Sequence, residues 1–278
     1  KEVLLLLKMI KIGIIAGDGN LPLYIGNSLL KKNYDITFLL LNNKNNKFYT
    51  NYKFVEINIL SIKKILKVLD SNKIKHIIFA GSIKRPGIKD LGFDIPTFLL
   101  AKNLFLEKKG DNNLLISLKK YFESKGYIFF NWTSFCKELF STETNLTKIK
   151  PTKNAILNLK KGISVYQIFK KLDVGQGVII QNQLVLGLEA IEGTDLLLQR
   201  CSEYKRKGDK GILLKFSKHN QSNLIDIPLI GLETIKNLKK YNYEGVYLQK
   251  NKCLILDKEK IIDYANNNNL FISSLELN

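Results

Sequence analysis

Residues 10–32 read IKIGIIAGDGNLPLYIGNSLLKK. The run over 10–16 has the nearly continuous apolar character of a strand buried on both faces, and it stops at Gly17-Asp18-Gly19-Asn20. A helical pattern follows over 21–32 with Pro22 in its first turn, where a missing N–H does no harm because that donor has no intrahelical partner. Strand, glycine loop and helix in succession form the unit from which parallel sheets are built.

The pattern repeats outward from there. A strand is expected over 36–41, a helix capped by Ser61 over 61–70, and a strand over 76–80 that breaks at Gly81. Helical periods cover 94–108 and 113–125, with Asp111 as the simplest N-cap between them, and a strand follows over 127–130. Such alternation implies a parallel sheet covered by helices, with ligands at the carboxyl ends of its strands. The loops to watch are therefore 17–20 and 81–92.

In the first loop glycines would let backbone N–H groups approach a phosphate at a helix N-terminus. The dinucleotide fingerprint is only partial. Pro22 stands where the third glycine of G-x-G-x-x-G belongs, and the strand over 36–41 ends in Asn42-Asn43 with no acid for a ribose hydroxyl. The plain reading, a tight turn needing glycine for positive φ, stays open beside phosphate contact. In the second loop Lys84 and Arg85 follow Gly81-Ser82, and both cations suit phosphate oxygens, although adjacent cations in so basic a chain are often only surface.

After a polar, weakly patterned stretch over 140–151 the second half begins. A helix is expected over 165–172, followed by LDVGQGVIIQNQLVLGLEAIEGTD at 172–195. Two short apolar runs around Gln181-Asn182-Gln183 read as a hairpin, and the acidic corner at 189–195 leads into a helix over 196–204 with Thr194 as its cap and Asp195 in its first turn. A strand over 212–216 precedes Ile225-Asp226-Ile227-Pro228, where Pro228 holds Ile227 extended. A carboxylate between apolar neighbours on stiff backbone needs a partner: a metal, a cation or backbone donors. Segments over 232–241, 245–248, 253–256 and 258–267 complete an α/β pattern.

The chain has 278 residues and 45% hydrophobic residues, enough for real cores, and a formal charge of +19. That charge is spread along the chain with abundant Asn and Ile, so compositional drift explains it better than a docking patch; Lys205-Arg206-Lys207 with Lys210 reads as a solvated loop. Cys136, Cys201 and Cys253 are far apart and odd in number, giving neither a disulfide framework nor metal spacing, and a reducing compartment fits. Residues 1–8 read as an extension ahead of the folded domain, too short and too interrupted by Lys8 and Lys11 to span a membrane, so a soluble protein is expected.

Phosphate-loop, nucleophile-elbow and zinc signatures are missing, and His76 and His219 offer poor footing for a Ser-His-Asp hydrolase. Oxygen ligands dominate what remains. They suit Mg²⁺ or Mn²⁺ bound with a substrate's phosphates.

IGIIAGDGNLP, GSIKRPG, GDNNLL at Gly110, the DVGQ and EAIEGTD blocks and IDIPLIG, in this order, resemble the LpxI family, the UDP-2,3-diacylglucosamine pyrophosphatases of lipid A synthesis. The resemblance covers nearly everything from residue 9 to residue 271. It implies a Rossmann-like N-terminal domain with a parallel sheet over 9–140 and an α/β C-terminal domain with a mixed sheet over 141–278. It also implies hydrolysis of UDP-2,3-diacylglucosamine to UMP and 2,3-diacylglucosamine 1-phosphate in an interdomain cleft, aided by Mg²⁺ or Mn²⁺. Asp226 in the DxPxIG block is then the catalytic residue, and Asp226, Glu189, Glu192 and Asp195 are the metal candidates. Gly17, Asp18, Gly19, Ser82, Lys84, Arg85, Asp111, Gln176, Thr194, Lys218 and Gln221 are the substrate candidates. A cytoplasmic enzyme meeting the inner-membrane surface transiently is implied, with no nucleic-acid partner and a homodimer left open.

Two departures limit the carry-over. Asp18 stands where the family often has glycine, and 218–224 reads KHNQSNL where the family pattern has K-P-x-Q-D-x-R, so an acidic and a basic side chain are missing while Lys218 and Gln221 match. The competing reading is a nucleotide-binding protein without hydrolytic activity.

Overall fold

The computed structural model describes residues 9–41, 43–57, 62–82, 111–170, 174–218 and 227–277, with the side chains of 43–45 and 111–115 left aside. The expected helix over 94–108 lies outside the described residues, as do Lys84, Arg85, Gln221 and Asp226. The chain divides into two compact units, Lys1–Cys136 and Lys137–Asn278.

The first unit contains β1 (Lys11–Ala16), α1 (Leu21–Leu30), β2 (Asp35–Leu40), β3 (Phe54–Glu56), α2 (Ile62–Ser71), β4 (His76–Ala80), α3 (Asp111–Ser124) and β5 (Ile128–Phe129). The strands form one sheet in the order β3-β2-β1-β4-β5, and every pairing is parallel. β1 is central and buried from its second residue on, as its apolar run requires. One face is covered by α2 and α3, whose Ile62, Ile65, Leu69, Leu118 and Phe122 pack with Ile15, Leu39, Ile77 and Phe79. At α1 the close approach to β2 depends on Gly26, where a Cβ would lie 2.3 Å from the Phe38 ring. Asp111 is the first helical residue of α3 rather than the cap before it. A carboxylate is favourable at either position, because both lie at the positive end of the helix dipole.

The second unit contains α4 (Lys153–Phe169), β6 (Gly177–Gln181), β7 (Leu184–Leu188), α5 (Thr194–Ser202), β8 (Ile212–Lys215), β9 (Leu229–Ile230), α6 (Leu232–Lys240), β10 (Gly245–Gln249), β11 (Leu254–Ile255), α7 (Lys258–Asn267) and β12 (Phe271–Leu275). Its main sheet is mixed, in the order β12-β10-β8-β6-β7: β12, β10 and β8 run parallel, and β6 runs antiparallel to both β8 and β7. β9 and β11 form a separate parallel pair. Side-chain alternation along the strands loads both faces. Ile179 and Leu213 pack with α5, α6 and α7, while Val178, Ile180, Ile212 and Leu214 pack with α4.

The hairpin expected around Asn182 is present, with Asn182 at φ 50° and Gln183 at φ 60°, the two left-handed residues that a two-residue turn matching the strand twist needs. The helix expected over 165–172 is instead α4, which begins at Lys153 behind a Thr152 cap accepting from the Ala155 N–H. Its buried stripe is Ala155, Asn158, Gly162, Tyr166 and Phe169. The spacing is helical, yet a polar residue and a glycine stand at two of its positions and hide the apolar period. Asn158 is wholly buried because it is bonded to Asp209 and to the Gln183 N–H.

Candidate active site

In the first unit the two loops singled out in the sequence meet at the carboxyl ends of β1 and β4. The Gly17 N–H donates to the Ala80 carbonyl at 2.8 Å, and Asp18 and Ser82 exchange backbone hydrogen bonds of 2.8 and 2.9 Å. The approach requires glycine on both sides. A Cβ at Gly17 would lie 2.3 Å from the Ser82 carbonyl oxygen, and Gly81 has φ 85° with the Asp18 oxygen 2.7 Å from where its Cβ would be. Gly19, at φ 94°, turns the chain into α1, whose N-cap Asn20 makes no side-chain capping bond. Gly17, Asp18, Gly19 and Ser82 therefore share one corner of the sheet, where β1 has β2 on one side and β4 on the other. Crevices of this kind, at the carboxyl ends of parallel strands, are where α/β sheets bind ligands. The first turn of α1 would present backbone donors and the positive end of a helix dipole there.

In the second unit the DVGQ and EGTD blocks come together at the end of the sheet where β7 and β8 finish and β6 begins. Their centre is an ion pair. The Lys215 Nζ donates to Glu189 at 3.0 Å (Oε1) and 2.7 Å (Oε2), and to the Thr194 Oγ1 at 2.5 Å. Thr194 donates in turn to Glu189 Oε1 at 2.8 Å, and the Gln176 backbone N–H donates to Oε2 at 3.1 Å. The ion-paired side chains are only 6% and 8% exposed. Nearby, burial pushes the Cys253 thiol up to about 12, with Lys215 lowering it and Glu189 raising it. Thr194 is not the cap of α5; Gly193, at φ 80° and without a side chain, holds that position. The Thr194 hydroxyl is committed to Glu189 and Lys215 instead.

The neighbouring corner is held separately. Arg200 donates to Glu192 Oε1 at 2.6 Å and to the Leu188 carbonyl at 3.1 Å, and Glu192 Oε2 accepts from the Ala190 N–H. The hydrogen bond from Arg200 holds the Glu192 carboxyl below the usual carboxylate range. Asp195, in the first turn of α5, has one buried oxygen, Oδ1, with no hydrogen-bond partner among the described residues. Beyond β8 the Ser217 N–H donates to the Gln249 side chain at 2.9 Å and its carbonyl accepts from the Tyr166 hydroxyl, which fixes the chain just before Lys218.

These partners bear on the metal expectation. Glu189 has both oxygens on Lys215, Glu192 is held by Arg200 and a backbone N–H, and no group of three or more His, Cys, Asp or Glu suited to a metal ion occurs among the described residues. Glu189 and Glu192 as placed do not fit a Mg²⁺ site, because cations and backbone donors already occupy their oxygens. Lys215 escaped notice in the sequence because it ends an apolar strand, ILLK, and continues into Phe216. The signal was present: a lysine inside a buried run needs an anion, and Glu189 likewise closes an apolar run.

No helix among the described residues is long and apolar enough to cross a membrane. Residues 11–139 match the LpxI N-terminal domain and residues 142–273 the LpxI C-terminal domain. The chain is also similar to the UDP-2,3-diacylglucosamine pyrophosphatase LpxI of Caulobacter vibrioides, at 26% identity over 275 residues that cover 96% of this chain and 98% of that protein. With both of its units matched from end to end by the two halves of one family, the chain belongs to the LpxI family.

Proposed function

We propose that this protein hydrolyses the pyrophosphate bond of UDP-2,3-diacylglucosamine, releasing UMP and 2,3-diacylglucosamine 1-phosphate. The observation that carries the reading is the end-to-end match to a relative bearing that name, with both domains of its family present in order. The geometry is compatible with it. The glycine corner of the first unit offers a helix N-terminus to a phosphate, and the second unit gathers Gln176 and Thr194 around the buried Glu189–Lys215 ion pair. Hydrolysis then requires the pyrophosphate charge to be neutralised and a water to be aligned in line with the leaving oxygen. Lys84, Arg85 and Lys218 are our candidates for the first task and Asp226 for the second. A role for Mg²⁺ or Mn²⁺ would rest on Asp226, Asp195 and the substrate's own phosphates.

The test is direct. Wild-type protein with UDP-2,3-diacylglucosamine and Mg²⁺ should release UMP, and Asp226→Ala should keep its fold and lose that release. Absence of UMP from the wild type would overturn the reading, and full activity in the variant would remove Asp226 from it. A parallel incubation with chelator decides the metal.

A further inference from the structure

We propose that Lys215 is a positioning residue for this reaction, acting with Glu189 as an ionic lock. The lock fixes the first turn of α5 against the last residue of β8 and the N–H of Gln176. The geometry of the lock stands on its own, and only its kinetic readout rests on the hydrolase reading above.

Glu189 and Lys215 are the only charged side chains buried among the described residues. Burying a charge costs several kcal/mol even when it is paired, and well-packed apolar residues in the same place are often at least as stable. Stability alone therefore gives no reason for an ion pair here. What an apolar pair cannot provide is direction. The three ammonium hydrogens of Lys215 meet three acceptors, both Glu189 oxygens and the Thr194 hydroxyl. Each Glu189 oxygen takes a second donor, Thr194 on one side and the Gln176 N–H on the other. One carboxylate thus ties together the start of β6, the end of β7, the end of β8 and the start of α5.

The backbone is shaped around that carboxylate. A Cβ at Gly175 would lie 2.5 Å from Glu189 Cβ and Cγ, and one at Gly177 would lie 2.7 Å from Oε2. Neither glycine has positive φ, so it is space that these positions give, not conformational freedom. Two of the glycines in the DVGQG block are thereby explained by the Glu189 side chain and not by a ligand. Positioning at this level matters because displacement of a reacting group by about 1 Å can cost roughly a hundredfold in rate.

The experiment compares wild type with Lys215→Met, Glu189→Gln and the double variant. Each single variant leaves one member of the pair buried without its partner and should lower the melting temperature. The double variant removes both charges and should recover most of the melting temperature, while its kcat for UMP release stays down by roughly tenfold to a hundredfold and its KM moves little. Recovery of wild-type kcat in the double variant would overturn the proposal. If the double variant does not fold, Lys215→Arg decides: it keeps the charge but cannot place three hydrogens on the same three acceptors, so the lock requires kcat to fall with KM little changed, and wild-type kcat in Lys215→Arg overturns it. Should the wild type release no UMP, the hydrolase reading fails separately. Hydrogen exchange at residues 190–194 and 216–218 then judges the lock, with faster exchange in the double variant supporting it and equal exchange overturning it.

Discussion

Asp18 and Ser82 exchange a pair of backbone hydrogen bonds, of 2.8 and 2.9 Å, that clasp the loop after β1 to the loop after β4. Two chain reversals, separated by 64 positions in sequence, become a single corner. The clasp closes only because Gly17 has no Cβ, since one would sit 2.3 Å from the Ser82 oxygen. Gly17→Ala must push backbone against backbone, so we expect a loss of about 1–3 kcal/mol in stability together with a raised KM for the proposed substrate. Thermal unfolding and steady-state kinetics measure the two effects. A variant unchanged in both would detach this corner from substrate binding.

Much of the fold was legible in the sequence because burial on both faces leaves continuous apolar runs. β1, β4 and β8 announce themselves in this way, and the hairpin turn is marked by adjacent residues able to take positive φ. β3 and β12 were not read. Phe54–Glu56 is three residues long, too short to show a period, and Phe271–Leu275 carries Ser273 and Ser274, both buried, whose hydroxyls bond to Asn145 and to the Glu143 carbonyl. The site was legible in its blocks but not in its pairing. The sequence shows Glu189 as one carboxylate among several, and nothing local to it says that its partner is Lys215, 26 positions on, across a sheet. Polar groups at strand ends can be found one by one, whereas their partners depend on strand order.

The Arg200–Glu192 pair should be visible in the acid limb of the stability curve. Its hydrogen bond lowers the Glu192 pKa in the folded state, so its contribution is present above the unfolded carboxylate value of about 4.3 and is lost as pH falls through the lower folded value. Arg200 is 46% exposed, which screens the effect and keeps it small. Melting temperatures between pH 6 and pH 3 should fall more steeply for the wild type than for Glu192→Gln. Parallel curves would mean that the pair contributes nothing to holding the 189–193 corner.

Gly175 gives a second test of the space around Glu189. Its added Cβ would meet Glu189 Cβ and Cγ at 2.5 Å and the Glu189 carbonyl oxygen at 2.6 Å, and the Gly175 N–H already donates to that carbonyl at 2.8 Å. Backbone contacts cannot swing aside as a side-chain tip can. Gly175→Ala should therefore cost more activity than Gly193→Ala, where the new Cβ has nothing within 4 Å and the strain is confined to the positive φ. Equal loss of kcat in the two variants would show that conformation matters at Gly175 and space does not.

Tyr247 predicts behaviour at the alkaline end. It lies on β10 with its ring 4.8 Å from that of Phe271, and burial, with a further contribution from the charge of Glu244, pushes its hydroxyl up to about 12. Folding therefore favours the neutral phenol. The associated stability is complete below the unfolded tyrosine value of about 10 and is lost as pH rises from there toward the folded value. Tyr247→Phe keeps the ring and removes the ionisable group, so its melting temperature should decline less than that of the wild type between pH 9 and pH 11. Tyr49, also pushed up to about 12 by burial but in the first unit, serves as the control: Tyr49→Phe should flatten the same limb only for a transition assigned to that unit. Alkaline unfolding that is identical in wild type and Tyr247→Phe would rule out the phenol as its source and leave the lysine-rich surface to account for it.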